Sequence, residues 1–287
     1  MNNNFAVFIT THGRPKNQKT YISLRKHGYT GKIYFVIDNE DDTAKEYREF
    51  YGEQVIMFDK KAVAEIIDAG DNIEDRRAVV YARNAVFNIA KDLGFDYFMQ
   101  TDDDYTVWEY RFGPKFKYNK QRIKNLDAVF DVILDYFKTI DAYSIAMSQG
   151  GDFFGGKESQ YARTVGTKRK VMQTFFCKTN NPFPFFGRMN DDVNTYVTLG
   201  NRGKLFFTIF QLSINQPQTQ SVSGGMTDIY LNEGTYRKSF YTVMYAPHCA
   251  EIKGIGTTER RLHHSISWRN AVPCVLNEKY RKWNSDD

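Results

Sequence analysis

Cysteine is scarce in this 287-residue chain: Cys177, Cys249 and Cys274 lie far apart with no CxxC spacing. Neither a disulfide framework nor a paired-thiolate zinc site is suggested by that, and a reducing cytoplasm is the expected home. Long apolar runs are missing as well. None approaches the ~20 residues that a membrane-spanning helix needs, so no membrane partner is expected. Met1-Asn2-Asn3-Asn4 leads straight into the first apolar segment, without the basic patch, apolar stretch and cleavage site of an export signal. No internal repeat and no low-complexity linker interrupts the chain.

What is present is ample material for a core: 41% of residues are hydrophobic and 16% aromatic, with 23 Phe and 19 Tyr. Most of those rings are expected to pack inside, and the remainder could stack on flat or sugar-like ligands. Lys and Arg number 39 against 34 Asp and Glu, a net charge of +5. That excess permits a polyanionic partner without requiring one.

Short apolar and branched runs at Phe5–Thr10, Lys32–Ile37, Val55–Phe58, Tyr97–Met99 and Tyr143–Met147 read as buried strands. Between them, Val79, Ala82, Val86, Ile89, Ala90 and Leu93 recur at helical spacing, with Gly94 placed as a C-terminal cap. Leu126, Val129, Phe130, Ile133, Leu134 and Phe137 mark a second amphipathic helix, and another of about three turns is expected after Pro15. This alternation predicts an open α/β sheet whose ligands sit beyond the carboxyl ends of the strands. The pattern loosens after Gly150, so a single domain, 1–287, with an elaborated C-terminal half is expected.

Asp102-Asp103-Asp104 stands directly behind an apolar strand. Three adjacent carboxylates repel one another, and a divalent cation, alone or with a diphosphate, is the natural compensation. A solvated acidic turn is the bland alternative. Farther on, His263 and His264 sit beside Arg260 and Arg261, which reads as part of a diphosphate site. Asn190-Asp191-Asp192 precedes an apolar stretch and reads on its own as a helix cap. Lys157, Arg163, Lys168, Arg169 and Lys170, with Tyr161 and Phe175, form a basic and aromatic segment suited to a nucleic-acid backbone or to a solvated face.

In this order the motifs resemble the nucleotide-sugar glycosyltransferases of GT-A fold. Thr10, Thr11, His12 and Arg14 look like the nucleotide-cradling loop after the first strand, and Asp38 like the base or ribose contact. Tyr81-Ala82-Arg83-Asn84-Ala85 looks like the Ala-Arg-Asn helix that precedes the DxD motif. The resemblance implies a Rossmann-like open mixed sheet flanked by helices and a UDP-sugar donor. It also implies Mn²⁺ or Mg²⁺ held by Asp102 and Asp104 with His264 or His263, Asp102 also contacting the ribose or sugar, and Asp103 either a sugar contact or a support behind the metal residues. Asp192, with Asp191 beside it, would match the acidic motif that supplies the base of inverting members. Residues 1–150 would then bind the donor, and 151–287 the acceptor together with a metal- and diphosphate-binding tail.

The stretches Tyr97–Tyr105 and Arg260–Trp283, with His264, Trp268, Pro273 and Tyr280, are similar to a narrower group. This comprises the phage DNA glycosyltransferases related to the TET/JBP-associated glycosyltransferases. Membership would imply transfer of glucose or arabinose to 5-hydroxymethylcytosine in double-stranded DNA, within the host cytoplasm. A protein or glycan acceptor, or a non-catalytic DNA-binding relative, remains the competing expectation. A nucleotidyltransferase fits less well, because Thr11-His12-Gly13-Arg14-Pro15 lacks the glycine-rich phosphate loop of that class.

Overall fold

Six consecutive buried residues, Phe5–Thr10, form the strand β1 around which the molecule is built. Alternate side chains serve opposite faces: Ala6 and Phe8 join one apolar cluster, while Phe5, Val7 and Ile9 join another. A strand buried on both faces must read as a continuous apolar run, which is why it is visible in the sequence. The computed structural model describes residues 4–153, 155–163, 174–216, 226–255 and 261–271.

In chain order β1 is followed by α1 (Lys19–Lys26), β2 (Lys32–Asp38), α2 (Ala44–Tyr51), β3 (Val55–Phe58), α3 (Lys60–Ala64), α4 (Val80–Asp92) and β4 (Tyr97–Asp102). Then come β5 (Val107–Phe112), β6 (Tyr118–Arg122), α5 (Leu126–Thr139), β7 (Ser144–Gln149), α6 (Gln160–Arg163) and β8 (Phe175–Lys178). The chain continues through α7 (Asp191–Asn201), β9 (Phe206–Asn215), α8 (Met226–Tyr245), β10 (Ala250–Ile255) and β11 (Arg261–Ile266).

Nine of these strands make one mixed sheet in the order β3-β2-β1-β4-β8-β7-β9-β5-β6, and β10 pairs with β11 in a separate antiparallel ribbon. The first four are parallel. β4 and β7 flank the antiparallel β8, β9 runs parallel to β7, and the hairpin β5–β6 closes the far edge. This is the open, helix-flanked α/β sheet that the sequence predicts. The helix expected after Pro15 spans eight residues, nearer two turns than three.

Two details show local chemistry setting element ends. Gly94 takes φ +77°, and the amides of Gly94 and Phe95 bond back to Lys91 and Ala90, a Schellman stop behind α4. Asn125 caps α5 by accepting the Ala128 amide at 3.0 Å. Among the described residues no helix is long and apolar enough to cross a membrane.

After β1 the chain first builds outward through β2 and β3, then returns to lay β4 on the other side. The loops leaving β1 and β4 therefore diverge, which opens a crevice at the carboxyl edge of the sheet. Thr10 is in register with both Val36 and Asp102, and Asp38 with Phe58, so the loops after all four parallel strands share that edge.

Candidate active site

The loop after β1 is organised around one buried hydroxyl. Tyr47 of α2 meets Thr11 Oγ1 at 2.7 Å, accepts the Arg14 amide at 3.0 Å and accepts Gln18 Nε2 at 3.3 Å. Gln18 also donates to Thr11 Oγ1 and to the Arg14 carbonyl. Thr10 donates to the Thr101 carbonyl at 3.3 Å, which ties β1 to β4 just below the crevice.

Asp103 faces this loop. It accepts Thr11 Oγ1 at 2.6 Å and Arg14 Nη1 at 3.1 Å, so its two oxygens brace the crevice. Burial pushes its pKa up, opposed by the Arg14 charge and the Thr11 hydrogen bond. Thr20, at the start of α1, fixes the aspartate turn by donating its amide to the Asp103 carbonyl and its hydroxyl to the Asp102 carbonyl.

Asp38 lies at the end of β2 and is almost fully enclosed. His12 Nδ1 sits 2.8 Å from Oδ2, Lys60 Nζ 3.2 Å from Oδ1, and the Glu40 amide donates to Oδ1. Burial pushes the Asp38 carboxyl up, but the His12 hydrogen bond and the Lys60 charge outweigh it and hold it below its ordinary value. His12 is raised in return, chiefly by its bond to Asp38.

The centre of the site is Arg83 on α4. Its guanidinium is buried, donating through Nη2 to Asp102 Oδ1 at 2.9 Å and through Nη1 to Asp191 Oδ2 at 2.7 Å. Burial disfavours that charge, yet Asp191, Asp102 and Asp192 together raise its pKa above the ordinary arginine value. Asp191 is itself pushed up by burial and by the neighbouring carboxylates, against the pull of Arg83. Asp191 and Asp192 occupy the first turn of α7, where the helix dipole favours negative charge. Asp192 accepts the Val193 amide at 2.8 Å, and no side-chain donor holds it among the described residues. Asp191 and Asp192 thus begin a helix, and the Asp191 carboxylate reaches Arg83. Asn190 takes the left-handed φ of +53° and makes no side-chain cap bond.

Asn84 points elsewhere. It donates to the carbonyls of Val80 and Phe185 and accepts the Phe185 amide, so its amide group fastens α4 to the segment before α7.

Asp104 tests whether a cation suits the site. Its Oδ1 is buried without a hydrogen-bond partner, and burial with the charges of Asp102 and Asp103 pushes its pKa up to about 7. A carboxylate short of donors beside like charges fits a hard divalent cation. Among the described residues no three His, Cys, Asp or Glu side chains converge to enclose an ion. The protein's oxygens would therefore cover part of the coordination shell, leaving the rest to phosphate or water.

His264 on β11 meets Asn190, the residue before α7. Asn190 Nδ2 approaches its Nδ1 at 3.1 Å and donates to the Lys238 carbonyl at 2.7 Å. An amide nitrogen only donates, so in that bond Nδ1 accepts and the ring hydrogen sits on Nε2. His263 Nδ1 instead meets the His264 carbonyl. Trp268 stacks on Tyr196 of α7, carrying the ribbon onto the same helix. Arg260, Lys168, Arg169, Lys170, Cys274, Pro273, Tyr280 and Trp283 lie outside the described residues.

Tyr47, Gln18, Thr20 and Lys60 were not singled out by the sequence. Each is one polar residue in or beside a short helix, indistinguishable there from a solvated face.

Residues 5–225 match the family described as TET-Associated Glycosyltransferase. No curated protein matches in sequence. Among solved structures, glucosyl-3-phosphoglycerate synthase from Mycobacterium tuberculosis, in complex with Mn²⁺, UDP and phosphoglyceric acid, is 10% identical. It covers 92% of this chain and 87% of its own, with a TM-score of 0.46. A mannosyltransferase from Pyrobaculum calidifontis in complex with GDP-Man and Mn²⁺ is 11% identical over 85% of this chain and 73% of its own, at a TM-score of 0.46. TarS from S. aureus is 9% identical over 84% and 70%, at 0.41.

Proposed function

The chain belongs to the TET-associated glycosyltransferase family, and from that premise we propose that it transfers glucose or arabinose from a UDP-sugar to 5-hydroxymethylcytosine in phage DNA. The reaction would take place in the cytoplasm of the infected cell. The observation that carries the mechanism is the Arg83 fork, which sets the strand-end Asp102 and the helix-start Asp191 on two sides of one guanidinium.

Thr10, Thr11, His12 and Arg14 with Asp38 form the wall against which the nucleoside would lie, and Asp103 keeps that wall closed. Asp102 and Asp104, assisted by His264 or His263, would hold Mn²⁺ or Mg²⁺. When bound, that cation supplies charge neutralisation for the diphosphate. Asp192, free of the fork, would accept the proton of the acceptor hydroxymethyl group as its oxygen bonds to the anomeric carbon. The bond from that carbon to the diphosphate oxygen breaks on the opposite face. Arg83 keeps Asp191 occupied, so the proton goes to its neighbour. In this reading one domain, 1–287, does both tasks, with the donor in 1–150 and the acceptor mainly in 151–287.

The test incubates hydroxymethylcytosine duplex, plain duplex and a glycan or peptide panel with several nucleotide sugars and Mn²⁺, followed by digestion and mass measurement. A hexose or pentose increment confined to hydroxymethylcytosine supports the proposal. An increment on protein or glycan instead overturns the acceptor, and no nucleoside diphosphate from any donor overturns the enzyme reading.

A further inference from the structure

The hairpin β5–β6 leaves the aspartate turn within a few residues and ends as the outer edge of the nine-stranded sheet. Lys115, Lys117, Lys120, Arg122 and Lys124 are all exposed along it, and every β6 residue after Tyr118 faces solvent. The one acidic residue in residues 105–124 outside the aspartate turn is Glu109. It is buried and held by Arg111, Asn215 and Lys120. Lys115, Lys117, Arg122 and Lys124 have no carboxylate within ion-pair distance among the described residues. The edge therefore presents almost unopposed positive charge.

Lysines on an edge strand also guard against strand-to-strand aggregation. Two further observations point past that role. At the tip, Lys115 and Phe116 both adopt left-handed φ, +57° and +55°, and the Phe116 ring is held 58% exposed. A guard needs neither strain nor an exposed ring. The hairpin is also anchored: Arg111 bonds Tyr118 OH at 3.2 Å and lies over Phe153, whose ring packs against Tyr118 and Phe112. That contact brings the loop after β7, with exposed Lys157, beside the hairpin. A rigid ledge with cations spaced along it and a ring at its tip matches a phosphodiester backbone.

We infer that the β5–β6 edge, with Lys157, is the surface on which the DNA duplex rests while the target base enters the crevice. This inference rests on the DNA-acceptor reading above. Two variants test it: the triple change Lys115→Glu, Lys117→Glu and Arg122→Glu, which keeps the edge charged, and Phe116→Gly, which relieves the left-handed strain. Binding to a hydroxymethylcytosine duplex is measured across a range of salt, alongside nucleotide-sugar hydrolysis without DNA and the thermal midpoint.

The triple variant should lower the magnitude of the log–log salt slope by about 3 and weaken duplex binding at least tenfold, with hydrolysis and midpoint unchanged. Phe116→Gly should raise the midpoint while weakening duplex binding. If the wild type binds and modifies the duplex and the triple variant does so with the same salt slope, the ledge is not the surface and the acceptor reading stands. If the wild type neither binds nor modifies duplex DNA, both are overturned.

Discussion

Arg83 and Asp191 are 108 positions apart in sequence, yet Nη1 of one donates to Oδ2 of the other at 2.7 Å inside the protein. The same guanidinium reaches Asp102. One cation thus serves two carboxylates on different elements, with Asp192 and Asp104 close behind. Carboxylates outnumber the cation here, and among them one buried Asp104 oxygen has no hydrogen-bond partner.

Replacing Arg83 with Met strands Asp102 and Asp191 without their partner. Breaking a buried pair from one side costs about 3–5 kcal/mol. Arg83→Met should lower stability by that order in chemical denaturation and leave no measurable transfer. Arg83→Met with Asp191→Asn should recover a large part of the stability and none of the activity. Equal stability of the single and double variants would show that the two residues are not coupled.

The parts of this arrangement that could be read from the sequence are those with a local signature. β1, β2 and β4 are apolar runs because both their faces are buried, and α4 and α5 repeat at helical spacing. β5 and β6 escape that logic: Glu109 and Arg111 are buried as a mutually satisfied pair, and β6 has no apolar residue after Tyr118 in Tyr118-Asn119-Lys120-Gln121-Arg122. Arg83, Asp102 and Asp191 could each be singled out by motif, but their meeting is a property of packing between β4, α4 and α7. The acceptor surface inferred here also draws on residues 113–122, outside the half from which an acceptor site was expected.

Asp104→Asn keeps the side-chain volume and removes the charge. The apo fold should be retained or slightly stabilised, because the replaced carboxylate is buried against Asp102 and Asp103. Mn²⁺ should raise the thermal midpoint of the wild type and leave that of the variant unmoved, and transfer should fall by at least ~100-fold. Wild-type activity in Asp104→Asn would remove this aspartate from the cation site.

His12 and Asp38 give a pH dependence whose sign is fixed by their shifts. His12 is raised, so its contribution is present below its unfolded value of about 6.5 and is lost as pH rises through the higher folded value. Asp38 is lowered, so its contribution holds above about 3.9 and is lost as pH falls through the folded value. The pair therefore supports the loop after β1 across the interval between, weakening on the alkaline side through His12. Asp38→Asn should bring the His12 titration, followed by NMR, back toward the ordinary range. It should also destabilise the fold by leaving Lys60 buried without its partner. An unchanged His12 titration would remove the bond as its cause.

Tyr47→Phe removes a single oxygen that three groups of the loop after β1 share. The Arg14 amide loses its acceptor, Thr11 and Gln18 keep one another, and the cost of the unsatisfied donor is about 1–3 kcal/mol. Arg14 also bonds Asp103, so loosening its backbone loosens the brace across the crevice rather than the Asp102–Arg83–Asp191 line. The kinetic signature should separate the two: donor KM should rise severalfold while kcat stays within about twofold, since uniform binding is lost and the reacting geometry is not. A fall in kcat at unchanged KM would place Tyr47 in support of the carboxylates instead of the proposed nucleoside wall.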